Sequence, residues 1–242
     1  MNYVEISNNG KVRPVNQDSI FAGCHNDAGL FVVADGMGGH SHGEWASRYI
    51  TEKLCEWWQN FVPEEYGRDF KKMVLALNEL LEQINKEIFY QYNKEEICGS
   101  TVVLLFLYED YYGIIYAGDS RAYLLQGRKF CQLTTDEVWE NQPNLSETEK
   151  RERWESCHGK LLNAVGIRKE LQCRLFTNQT QKNAVFLLCS DGLYKDCPER
   201  CIKKYMEKAR KPRNMQRSGD ALLDVVLSGS AKDNVSFILV SL

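Results

Sequence analysis

The sequence lacks any apolar run approaching the ~20 residues needed to cross a bilayer. Its first ten residues, "MNYVEISNNG", hold no apolar signal core. Both absences predict a cytoplasmic chain with no membrane span. A basic excess is missing too. Lys and Arg number 30 against 33 Asp and Glu, a net charge of −3, whereas nucleic-acid surfaces are usually strongly positive. The densest basic stretch, residues 203–217, also carries Glu207, Pro212 and Asn214, and reads as a solvated helix face and loop. The nine cysteines show no zinc-finger spacing. Their odd count reads as reduced, mostly buried thiols. No Pro/Gly/Ser-rich joint divides the 242 residues, so a single domain over 1–242 is expected.

What is present alternates in texture. "GLFVVAD" is short, apolar and β-branched, the mark of a buried strand. Over 43–61, Ala46, Ile50, Leu54, Trp58 and Phe61 fall at helical spacing; over 69–92, Phe70, Met73, Leu77, Leu81, Ile84 and Ile88 do the same. After Gly99, "STVVLLFLY", "YYGIIYAG", "RAYLLQ" and "KFCQLT" predict an antiparallel meander of hairpins. Residues 136–160 are polar and form an insertion, helical or mobile. Strands are expected near 171–176 and 184–189, helices near 198–209 and 220–227, and a last strand in "NVSFILV". Blocks of strands with helix pairs between them imply an α+β fold of two packed sheets covered by helices, rather than a parallel βαβ alternation.

The acids sit at the ends of these apolar runs. Asp35 ends "LFVVAD", Asp119 ends "GIIYAGD", Asp191 ends "AVFLLCSD", Asp233 precedes "NVSFILV", and Asp18 stands before "SIFAG". Taken singly, each reads as a turn or cap residue. Gathered at one edge they would repel, and each would want a cation. Oxygen ligands with only four histidines in the chain suit Mg²⁺ or Mn²⁺ rather than zinc. Gly36, lacking a Cβ, would let its carbonyl approach the same ion as Asp35. Arg13, five residues before Asp18, offers a fork for a phosphate.

In order along the chain, "RPVNQDS", "FVVADGMGGHSHGE", "GSTVVLLFL", "YAGDSRAYLL", "LLNAVG", "LLCSDGL" and "KDNVSFILV" resemble the metal-dependent serine/threonine phosphatases of the PP2C (PPM) family, in its bacterial form. The stretches span residues 13–240. The resemblance implies an αββα sandwich: two antiparallel sheets face to face with helix pairs outside. It implies two Mn²⁺ or Mg²⁺ ions, with Asp35 shared, Asp191 and Asp233 on the first, the Gly36 carbonyl on the second, and Asp18 holding metal-bound waters or sitting beside the second. Arg13 would grip the phosphate of a phosphoserine or phosphothreonine protein. Water activated by both cations would attack phosphorus directly, and His40, rather than neighbouring His42, would protonate the leaving alkoxide. Gly38 and Gly39 would turn the chain tightly. His25 and His158 have no such context and read as surface residues. A cognate serine/threonine kinase is the implied partner.

The chain also departs from the pattern. Asp119 matches a third-metal ligand of the family, yet many members carry an acid at the end of "SDGLxD" where this chain has Lys195, with Asp196 one step later. A lysine beside a cation site is unfavourable unless it turns away, which argues against a third ion. "LTTDEVW" lacks a histidine often found there, and leads into a short flap at about 137–160. These departures leave a second reading, a non-catalytic phosphoprotein-binding relative, and a third, a metallohydrolase of small phosphoesters.

Overall fold

The structure, a computed structural model, describes residues 1–38, 42–92 and 98–242. In chain order the strands and helices are β1 (Asn2–Asn8), β2 (Asp18–His25), β3 (Ala28–Gly38), α1 (His42–Gln59), α2 (Phe70–Tyr92), β4 (Cys98–Ser100), β5 (Val102–Tyr108), β6 (Tyr111–Ala117), β7 (Arg121–Gln126), β8 (Lys129–Gln132), α3 (Glu147–Cys157), β9 (Arg174–Gln179), β10 (Val185–Cys189), α4 (Asp191–Asp196), α5 (Glu199–Ala209), α6 (Met215–Ser228) and β11 (Val235–Ser241).

Alternation along the central strands builds the layers. Leu30 and Val32 of β3, with Val102, Leu104 and Phe106 of β5, pack on Ile50 and Leu54 of α1 and Leu77 and Leu81 of α2. The intervening Phe31, Val33, Val103 and Leu105 point the other way and meet Phe186, Leu188, Ile238 and Val240. On the far side, Val185, Leu187 and Leu239 pack on Ile202 and Met206 of α5 and Leu222 of α6. One sheet runs β1-β11-β10-β7-β8; the other runs β2-β3-β5-β6-β9, with β4 added to β3. Both are antiparallel throughout. This is the expected αββα sandwich.

Differences fall at the edges. β1 carries few apolar residues, chiefly Val4 and Ile6, and was invisible as a strand; it lies at a sheet edge beneath Gly219 of α6. β9 begins three residues later than the expected 171–176, and its largely exposed residues give no alternation to place it. β3 continues past Asp35 to Gly38, which pairs with Cys98 at φ +140°. Gly38 is therefore a strand residue, and Gly39, the other glycine of the expected turn, lies outside the described residues. The insertion is ordered into α3, opened by a Ser146–Glu149 capping box. Its base is closed by a bridge between Val138 and Leu161. All nine cysteines are free. Cys24 is exposed rather than buried. No described helix is long and apolar enough to cross a membrane.

Phe186 is wholly buried between the sheets. Phe186→Ala should lower unfolding free energy by about 3–5 kcal/mol in urea titration. Leu75→Ala, on the exposed side of α2, should change it by less than about 0.5 kcal/mol.

Candidate metal centre

Strand register brings the acids together. Asp18 and Asp35 lie directly opposite on β2 and β3, which sets their Cβ atoms ~5 Å apart. Val102 pairs with Ala117, so β6 delivers Asp119 to the same end of that sheet. In the other sheet Cys189 pairs with Phe237 and with Arg121, so β10 delivers Asp191 where Asp233 enters β11. A Ser190 hydroxyl donating to Asp18 Oδ2 at 2.8 Å ties the two sheet ends.

Backbone contacts hold the centre. The Asp35 carbonyl accepts from Thr101 N at 2.9 Å and from Ser100 Oγ at 2.9 Å, while Asp35 N donates to Thr101 Oγ1 at 3.1 Å. Gly36 N donates to the Gln17 carbonyl at 3.0 Å. The reciprocal ladder donor, Gln17 N, is turned away to Asn234 Oδ1 at 2.9 Å. A Cβ on Gly36 would stand 2.1 Å from the Gly43 carbonyl oxygen. Glycine is required here because α1 starts hard against β3, a reason the sequence did not show. Asn234 Nδ2 donates to the Asn9 and Val15 carbonyls at 3.1 and 3.0 Å, gripping the loop that carries Arg13.

The electrostatics follow from confinement. Burial, then the neighbouring carboxylates, pushes Asp35 well above the ordinary range. Burial raises Asp18 to about 7. Burial and Asp191 raise Asp119 to about 6. Two cations answer the cluster from its rim. Arg13 grips Asp233 with Nε to Oδ1 and Nη2 to Oδ2, both 2.9 Å. Lys195 donates to Asp191 Oδ2.

Does this donor set fit a divalent metal? Among the described residues no three His, Cys, Asp or Glu side chains are gathered tightly enough to hold an ion as they stand. The reason is visible: Asp191 leans to Lys195 and Asp233 to Arg13. Yet Asp18 Oδ1 and Asp191 Oδ1 are buried with no hydrogen-bond partner. Buried carboxylate oxygens without donors call for a cation, and hard oxygens suit Mg²⁺ or Mn²⁺. On that ground the residues fit.

His40 lies outside the described residues. His42 opens α1, and its carbonyl accepts the Cys98 thiol at 3.2 Å. His25 is exposed. His158, also largely exposed, is not idle: it pairs with Glu140 at 2.8 Å and stacks on Trp154. Sequence reasoning passed over Ser190, Asn234, Thr101 and Tyr194, whose hydroxyl donates to the Asp119 carbonyl at 3.1 Å. Ser190 and Asn234 adjoin Asp191 and Asp233 within the quoted stretches, and that adjacency was the signal; Thr101 and Tyr194 reach Asp35 and Asp119 only through the fold.

The raised acids predict a pH dependence of the metal-free protein. Unfolded carboxylates titrate near ~4, whereas folded Asp119 and Asp18 titrate at about 6 and about 7. Between these limits the folded chain binds more protons, so stability falls as pH rises. Chelator-treated protein should melt at a higher temperature at pH ~6 than at pH ~7.5, with a flatter slope in Asp18→Asn. A melting temperature that rises over this window contradicts the reading.

A family model described as Protein phosphatase 2C matches residues 10–227. The serine/threonine phosphatase stp of Listeria monocytogenes serotype 4b is 28% identical over 239 residues, covering 96% of this chain and 92% of the relative. A crystal structure of a bacterial serine phosphatase superposes with a TM-score of 0.82 at 27% identity, covering 100% of this chain and 97% of the other. The catalytic domain of the serine/threonine phosphatase PstP, solved in complex with two manganese ions, superposes at 0.75 with 26% identity over 98% of this chain and 96% of its own. With the match covering most of the chain, Asp18, Asp35, Asp119 and Asp191 among the matched residues, the chain belongs to the protein phosphatase 2C family.

Proposed function

We propose that the chain, acting as one catalytic domain over 1–242, hydrolyses phosphoserine and phosphothreonine esters on proteins with Mn²⁺ or Mg²⁺. The observation that carries this is the convergence of Asp18, Asp35, Asp119, Asp191 and Asp233 at one end of the sandwich, with Arg13 at its rim. Asp35, Asp191, Asp233, Asp18 and the Gly36 carbonyl would hold two ions. Once bound, two such cations supply an activated water and neutralise phosphate charge.

The chain's own groups do the rest. Arg13 is half exposed and presents a guanidinium fork at the mouth of the centre, suited to two phosphate oxygens. With Asp233 serving as a metal ligand, that fork would be free to hold the substrate phosphate. Asn234 fixes the loop that aims it. His40, two residues beyond β3, would supply the proton to the departing alkoxide. The complete acid set speaks against a non-catalytic binding role. A serine/threonine kinase supplying the phosphoproteins would be the counterpart enzyme, in the same cytoplasmic compartment.

Purified protein should hydrolyse a phosphothreonine peptide with Mn²⁺ and lose this in chelator. Asp35→Asn should lower kcat/KM about a thousandfold or more, as expected when a metal ligand worth ~4 kcal/mol is lost. Arg13→Ala should cost about ten- to a hundredfold, the range of a charge-assisted hydrogen bond. Undiminished turnover in Asp35→Asn would contradict the assignment.

A further inference from the structure

Lys195 follows Asp191 by one helical turn in α4, and its ammonium donates to Asp191 Oδ2. The lysine side chain is 58% exposed, while that of Asp191 is 14% exposed. Asp119 and Asp35 also act on the same ammonium.

The two oxygens of Asp191 are thereby divided. Oδ2 belongs to Lys195, whereas Oδ1 is buried without a hydrogen-bond partner. Asp119 is held from the same helix by the Tyr194 hydroxyl, to its carbonyl at 3.1 Å and to Oδ2 at 3.4 Å. Asp196 does not contribute to this cluster. Its carboxylate accepts Ser230 Oγ at 2.8 Å and Ala231 N at 2.7 Å, fixing the loop before β11.

We infer that the Lys195 ammonium is a built-in cation for the Asp191–Asp119 pair, limiting the centre to two divalent ions. This rests on the metal-dependent reading above. A further divalent ion beside Asp119 would meet the ammonium at close range, where like charges repel strongly. Arg13 and Lys195 together already offset part of the negative charge of the aspartates. Lys195 is a positioning residue: it touches Asp191, and through Asp191 sets how many ions the centre takes and how Asp119 is neutralised.

Calorimetric titration with Mn²⁺ alone tests this on the full chain. Wild type should take up two equivalents. Lys195→Met, which keeps the stem but loses the charge, should take up one more, and Lys195→Gln should behave likewise if the first variant is unstable. Adding Asp119→Asn to Lys195→Met should remove the extra equivalent. Equal counts in wild type and the folded Lys195 variants, or an extra ion that survives Asp119→Asn, would overturn the inference alone. Absence of Mn²⁺ uptake by wild type would overturn the metal-dependent reading, and the inference with it.

Discussion

Mutual repulsion among carboxylates confined at one end of the sandwich is the constraint on which the rest of the structure turns. Asp35 is driven up by its burial and by Asp18, Asp191, Asp119 and Asp233. Such a group cannot be held by the carboxylates themselves. It is held by backbone: the register that sets Asp18 against Asp35, the Ser100 and Thr101 bonds that clamp Asp35, and Ser190 reaching between the sheets. Three apolar layers keep those strand ends in place, because close-packed interiors resist small displacements.

The periphery is built differently. Glu137 links the flap to the centre: its carboxylate accepts from Gly118 N at 3.1 Å and Asn163 Nδ2 at 2.8 Å. Gly118 immediately precedes Asp119, so the flap base and one acid share a backbone anchor. Beyond Glu137 a cleft of about 530 Å³ opens, lined by Tyr116, Asn141, Arg168 and Arg174. A second chain of contacts runs from Asp136 through Arg121, whose guanidinium lies 3.5 Å over the Tyr194 ring, to Asp119. Asp119 is thus tied to both the flap and α4, while Asp35 is clamped by Ser100 and Thr101 beside its own strand.

Central strands were legible because both faces are buried and their residues are apolar without interruption, as in "STVVLLFLY". The acids were legible because each breaks such a run. Edge strands were not: β1 and β9 satisfy the ladder with polar, exposed residues, and the pairing that defines them is non-local. Gly36 was singled out for its carbonyl; the contact with Gly43, which also requires glycine there, comes from a helix whose approach no local pattern encodes. Lys195 stood out as a departure from the family pattern, unfavourable beside a cation unless it turned away, and so an argument against a third ion. It turns inward, because one helical turn places it over Asp191. Asp196, the acid one step later, serves a loop.

The central claim is that these strand-end oxygens form a divalent-metal centre. Anomalous diffraction from crystals grown with Mn²⁺ tests it most directly. The account predicts manganese peaks between the two sheet ends, coordinated by Asp35, Asp191 and Asp233 carboxylates and the Gly36 carbonyl, with Arg13 swung away from Asp233. Manganese found only elsewhere on the surface, with Arg13 still locked on Asp233, would contradict it.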